Sequence, residues 1–149
     1  MNLFDPKSVL LAKHAQHVVL IHFPIALFVA GVAFDFLALW RQSRGLAAAA
    51  YYNLTAAAIS AIPAVATGVM AWQWQLEGKR LKGVLLLHLT LGLLSSGLIW
   101  LVSWLHFRAH RRPGRSLPAY RLPIELIAVT LVALTGYVGG FLSGVNGPG

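Results

Sequence analysis

The chain alternates four long apolar runs with short polar connections. The runs cover residues 18–40, 46–74, 84–107 and 122–142. Each exceeds the roughly 20 apolar residues that a helix needs to cross the hydrocarbon core of a bilayer. Because the connections are short, consecutive helices should be antiparallel neighbours. The pattern therefore predicts an all-α fold, a four-helix transmembrane bundle, with residues 1–149 forming a single integral membrane domain.

Composition agrees with this pattern and narrows the chemistry. Of the 149 residues, 58% are hydrophobic and only 11% are charged, whereas soluble domains carry about 25% charged residues. The first run is longer than the apolar core of a secretory signal, so we interpret it as a retained helix. The chain has no cysteine, which excludes thiolate chemistry, iron–sulfur clusters, disulfides and covalently attached haem. Haem b, held only by axial ligands and packing, remains open.

The formal net charge of +8 follows the membrane pattern. Lysine and arginine occupy the termini, the loops and the helix ends, as expected for contact with a lipid bilayer rather than with nucleic acid. The side with the termini carries five of them and the opposite side seven, which predicts that both termini lie outside. They are Lys7, Lys13, Lys79, Arg80 and Lys82 on the first side, and Arg41, Arg44, Arg108, Arg111, Arg112, Arg115 and Arg121 on the second.

Three histidines are expected at similar depth in one leaflet. His17 and His22 stand at the start of the first run and His88 at the start of the third. Histidine in a membrane is usually functional, and it is a common ligand of haem iron. His17 and His22 are roughly 140° apart around a helix, so both cannot easily face one ligand. We predict that the deeper His22 and His88 are the axial ligands.

The remaining residues of this site follow from those two ligands. His17 would donate a hydrogen bond near the site or serve as the alternative ligand. Gly92, one turn after His88, would leave room for the flat macrocycle, and Gly31 could do the same at greater depth. Two alternatives stay open. In one, the histidines hydrogen-bond the backbone and neighbouring helices, for example near Pro24; in the other, they hold a non-haem metal such as zinc or copper.

Polar residues also cluster near the opposite surface. His106 and His110 lie among arginines at a helix end, which predicts a solvated basic rim. Asp35 and Glu125 lie near the same surface, and each is expected to pair with an arginine such as Arg41 or Arg121, because an unpaired buried carboxylate is costly. A proton path through Asp35, His106 and Glu125 is the alternative interpretation.

The sequence contains no hydrolase signature. It has no Gly-x-Ser-x-Gly elbow, no Walker loop and no paired catalytic carboxylates. An electron carrier or a subunit is therefore expected rather than a stand-alone enzyme. In the subunit interpretation, the glycines at 136, 140 and 144 form a small-xxx-small ridge for docking onto a larger membrane complex.

The chain resembles a family of bacterial predicted membrane proteins known only as a domain of unknown function. The resemblance runs from about residue 17 to residue 147 and rests on an opening stretch, several single positions and a closing stretch. These are His17-Val-Val-Leu-Ile-His22-Phe23-Pro24-Ile25, then Asp35, Gly68 and His88, then Gly136-Tyr137-Val138-Gly139-Gly140-Phe141-Leu142. The resemblance implies a four-helix bundle in a bacterial inner membrane, with the termini then periplasmic.

Two departures from the family pattern concern its last and second helices. Members often carry an acidic residue and then a His-Gly pair where this chain has Phe141 and Val145-Asn146-Gly147, and an aspartate where it has Ala71. The architecture also resembles small bis-histidine b-type cytochromes. We therefore predict a haem b protein that exchanges electrons with a membrane redox complex, a periplasmic electron carrier or the quinone pool.

Overall fold

Four helices account for most of the chain. The computed structural model describes residues 13–75, 80–112 and 117–143. The helices are α1 (Lys13–Arg41), α2 (Arg44–Gln75), α3 (Gly83–His110) and α4 (Arg121–Leu142). All four are long and apolar enough to cross a membrane, and the described residues contain no strand. The predicted all-α fold with four membrane-spanning helices is therefore confirmed.

The helices run antiparallel to their neighbours and form two hairpins. The first hairpin is α1 with α2 and the second is α3 with α4; α2 packs against α3, while α1 touches α4 more lightly. His17 near the start of α1 meets Thr67 near the end of α2, and Tyr51 near the start of α2 stacks on His110 at the end of α3. The ends of α1 and α3 that lie near His17 and His88 are therefore on one side of the bundle.

The turn between α1 and α2 is as tight as the sequence predicts. Gln42 adopts a φ of 50°, and its side-chain amide donates to the Leu39 carbonyl at 2.6 Å. Ser43 caps α2 because its hydroxyl accepts from the Leu46 amide at 3.4 Å. Both contacts satisfy backbone groups that the helix ends would leave unpaired. This turn fixes the first hairpin.

The core is small and the outward surface is strongly apolar. Phe28, Leu54 and Val102 are fully buried at the centre, together with small alanines of α2 such as Ala57. Large apolar side chains such as Trp100 point outward instead, where a lipid bilayer would surround them. Small residues at the helix contacts let the backbones approach closely, as is typical of membrane bundles.

At Gly31, the backbones of α1 and α2 approach each other closely. A Cβ at this position would lie 2.8 Å from Leu54 Cγ and 3.1 Å from the Leu54 backbone nitrogen. Gly31 therefore contacts α2 and does not leave room for a cofactor, which corrects the role expected for it above.

Replacing Gly31 by alanine should destabilise the bundle. The new methyl group has no space against the α2 backbone, and overpacking of this kind costs roughly 1–3 kcal/mol. The matched control is Gly97→Ala, because a Cβ at Gly97 meets nothing within 4 Å. Thermal unfolding in detergent should show a lower midpoint for Gly31→Ala alone; equal midpoints would contradict the close contact.

Candidate functional site

A cavity of about 470 Å³ opens among all four helices near the starts of α1 and α3. Its lining includes His17, His22, His88 and Gly92, so the structure brings together all four residues that sequence reasoning assigned to a site. No acidic residue or cysteine lies among the described residues of the lining. The volume falls in the range of about 300–1,000 Å³ that small-molecule and cofactor pockets occupy.

His17 packs from α1 onto α2. Its Nδ1 lies 3.2 Å from the Thr67 hydroxyl oxygen, and a Cβ at Gly68 would stand only 2.9 Å from His17 Cε1. The Thr67 hydroxyl also lies 2.8 Å from the Pro63 carbonyl oxygen of its own helix. Thr67 thus holds the His17 imidazole at its Nδ1 atom against α2.

His88 repeats this packing in the second hairpin. A Cβ at Gly139 would stand 3.0 Å from His88 Cε1, so only glycine leaves the imidazole in place. The Nδ1 atom of His88 is buried and has no hydrogen-bond partner. This atom has almost no accessible surface, so it packs inside the second hairpin, beside Gly139 and the Thr135 backbone, and does not face the cavity.

His22 and Gly92 differ in how they meet the cavity. His22 is exposed, and its Nδ1 donates to the Val18 carbonyl of its own helix at 2.6 Å. A hydrogen bond from His22 to the backbone is one of the alternatives given for the histidines. The acceptor, however, is the Val18 carbonyl and not the Leu20 carbonyl, which lacks its helical donor because Pro24 has no N–H. A Cβ at Gly92 would reach only Thr135 Cγ2, at 3.9 Å, so Gly92 borders open space.

A second polar group lies buried at the other end of the bundle. Arg121 Nε donates to Asp35 Oδ2 at 2.8 Å, and His106 Nε2 lies 3.0 Å from Glu125 Oε1. All four residues are at most 4% exposed. The expected Asp35–Arg121 pairing is therefore present.

The prediction of a solvated rim is wrong for His106 and correct for His110. His106 is 4% exposed and faces Glu125, whereas His110 is exposed and stacks on Tyr51 at 4.2 Å. Glu125 also differs from expectation, because its contact is a histidine rather than an arginine. The two histidines stand one turn apart and therefore lie on the same face of α3. They differ in height, because His110 is the last residue of the helix, whereas His106 lies beside Glu125.

The group around Glu125 can hold a proton or offer metal ligands. Ligand atoms of Asp35, His106 and Glu125 lie within 4.8 Å of one another, and Glu125 Oε2 has no hydrogen-bond partner. However, Arg121 already neutralises Asp35, so a divalent cation would compete with a buried guanidinium. In the remaining pair, His106 Nε2 and Glu125 Oε1 lie at a hydrogen-bond distance of 3.0 Å.

Fold and site together define the class of this protein. It is a four-helix membrane protein in which histidines from two separate hairpins line one internal cavity. The chain belongs to the predicted membrane protein family DUF2231, whose sequence model matches residues 13–147. No curated protein and no solved structure matches the chain.

Sequence reasoning missed the partners of the two cavity histidines. Thr67 was not considered, and Gly68 and Gly139 entered only as positions of the family resemblance. The signal that could have found them is their equal spacing from the histidines, with 51 residues from His17 to Gly68 and from His88 to Gly139.

Removing Arg121 should destabilise the protein strongly. Arg121→Gln leaves the Asp35 carboxylate buried without its partner, which typically costs about 3–5 kcal/mol. Arg108→Gln is the control, because Arg108 is exposed and lies over the Trp104 ring at 5.2 Å. Thermal unfolding in detergent should separate the two variants, and Asp35→Asn combined with Arg121→Gln should recover part of the loss. Equal midpoints for the two single variants would contradict the buried ion pair.

Proposed function

We propose that this protein binds haem b in the cavity between its two hairpins and carries electrons within the membrane. The observation that carries the proposal is that imidazoles from both hairpins, His17 and His22 of α1 and His88 of α3, line one cavity of about 470 Å³. Haem b needs axial nitrogen ligands and an apolar pocket, with no covalent attachment.

The composition of the lining favours haem over a non-haem metal. A structural zinc site takes four protein ligands and a catalytic one takes three. The cavity offers at most His17, His22 and His88, and one nitrogen of His22 is already engaged by the Val18 carbonyl. Most of the other lining residues are aliphatic or glycine, which suits a large flat apolar ring. When bound, haem would supply a one-electron couple whose potential depends on burial and ligand hydrogen bonds.

The position of the cavity suggests how electrons would enter and leave. It lies at the end of the bundle where α1 and α3 begin, and Leu81 of the adjoining loop lines it. The flanking Arg80 and Lys82 are exposed and positively charged, so they favour an acidic partner. In this proposal the membrane is a bacterial inner membrane, both termini are periplasmic, and the partner is a periplasmic electron carrier, a membrane redox complex or the quinone pool.

A proton-handling role is the second candidate function. It is supported by the His106–Glu125 contact and by the unpartnered Glu125 Oε2. A Glu125→Gln variant would lose any proton uptake that this pair contributes, which a titration in unbuffered detergent solution measures. The remaining alternative is a non-enzymatic subunit of a larger complex, and co-purification of a defined partner independent of His88 would favour it. Gly136 and Gly140 line the cavity, and Gly144 lies outside the described residues.

Protein purified in detergent from haem-replete cells should show a Soret band and a sharp α band after reduction with dithionite. His88→Ala should lose these bands because it removes a ligand. His110→Ala is the matched control, since His110 stacks on Tyr51 at the opposite end of the bundle. Featureless spectra of the folded wild-type protein, with or without added haemin, would overturn the proposal.

A further inference from the structure

The second hairpin repeats the first at a constant offset of 71 residues. His17 corresponds to His88, Gly68 to Gly139 and Ala57 to Ala128, and each pair consists of identical residues. Eight further pairs between residues 13–75 and 84–146 are identical, such as Leu20 with Leu91 and Ala38 with Ala109, but most positions differ, so the repeat is faint in the amino-acid sequence alone. It becomes clear in the burial pattern.

Burial follows the same offset through all four helices. Nine pairs are buried in both hairpins, from Pro24 with Ser95 to Ala61 with Val132. In the described helices no buried residue of one hairpin corresponds to an exposed residue of the other. Two hairpins with the same buried faces and the same direction across the membrane form a parallel repeat, with an approximate two-fold axis along the membrane normal. The relation is inexact, because α2 packs more closely on α3 than α1 does on α4.

The cavity lies on this approximate axis. Every residue that the first hairpin contributes to the lining has its counterpart, 71 positions later, in the same lining. The pairs include Ile21 with Gly92 and Pro24 with Ser95. A cavity that straddles a two-fold axis presents equivalent groups from opposite sides.

We infer that His17 and His88 are the two axial ligands of the haem, in place of the pair His22 and His88. This inference rests on the proposed function. Two imidazoles related by an axis that lies in the plane of a flat ring approach its opposite faces, which is the geometry of bis-histidine ligation. His22 corresponds to Leu93, so the repeat supplies no second histidine for it.

Local contacts support the same pair. Each of the two imidazoles packs on a glycine of the neighbouring helix. A Cβ at Gly68 would lie 2.9 Å from His17 Cε1, and a Cβ at Gly139 would lie 3.0 Å from His88 Cε1. The Thr67 contact holds the His17 imidazole at Nδ1, and the same imidazole lines the cavity. His22, by contrast, is exposed.

The repeat also explains why only one end of the bundle takes a ligand. Asp35 and His106 are a related pair, but Arg121 and Glu125 correspond to Ala50 and Leu54. The two-fold relation therefore breaks at that end, where polar side chains fill the interior. It holds at the cavity end, where glycines and alanines leave space.

The test compares alanine and methionine variants at His17 and His22 in the full-length protein. His17→Ala should lose the low-spin bands as His88→Ala does, and His22→Ala should keep them. His17→Met should retain haem and raise its reduction potential, because methionine can replace histidine as an axial ligand and raises the potential. His22→Met should leave the potential unchanged.

Loss of folding is separated from loss of a ligand by chemical rescue. Imidazole added to His17→Gly should restore the low-spin spectrum, and thermal unfolding of each variant checks the bundle. Bands lost in His22→Ala but kept in His17→Ala would overturn the ligand pair while the proposed function stands. A folded wild-type protein that takes up no haem would overturn both, and bands that survive at all three alanine variants would overturn the pair and place any haem elsewhere.

Discussion

The ion pair between Asp35 and Arg121 closes the bundle. It joins the end of α1 to the start of α4 at 2.8 Å, and these two helices share few other contacts. Both side chains are at most 4% exposed, so bulk water does not solvate either charge. Each charge therefore depends on the other. The ion pair ties the two hairpins together at the end opposite the cavity, in addition to the larger contact between α2 and α3.

One face of α1 carries both a residue of the cavity, His17, and a residue of the buried polar group, Asp35. His17 and Asp35 are separated by five helical turns, so they point in the same direction and lie about 27 Å apart along the axis. The same spacing separates His88 from His106 on α3. Each of these helices thus directs one imidazole towards the cavity and a second polar side chain towards the buried group at the other end.

The contrast between the two ends has a simple steric origin. Near the cavity, the helices meet through an imidazole on a glycine, and the small residues of α2 and α4 leave space between the hairpins. At the other end, Arg121, Glu125 and His106 fill the interior and hold one another at hydrogen-bond distances. An apolar cavity at one end with a filled polar interior at the other suits a protein that holds one cofactor near one face of the membrane.

The amino-acid sequence by itself determined the four spans, their antiparallel order and the shared depth of His17, His22 and His88. Depth follows from position along an apolar run, which is a one-dimensional property. It also determined that Asp35 needs an arginine, because a buried carboxylate requires a partner. The family resemblance relates the chain to similar sequences, but the family has no known activity that it could imply for this protein.

Only the tertiary structure decided which side chains are buried. His106 and His110 lie on the same face of α3, but only His106 is buried, because packing against α4 covers it beside Glu125, whereas His110 is the last residue of the helix. For the same reason the contacts of His17 with Gly68 and of His88 with Gly139 could not be read from composition. These contacts depend on two helices approaching at one height, and residues 51 positions apart in the chain meet only when the hairpin has folded.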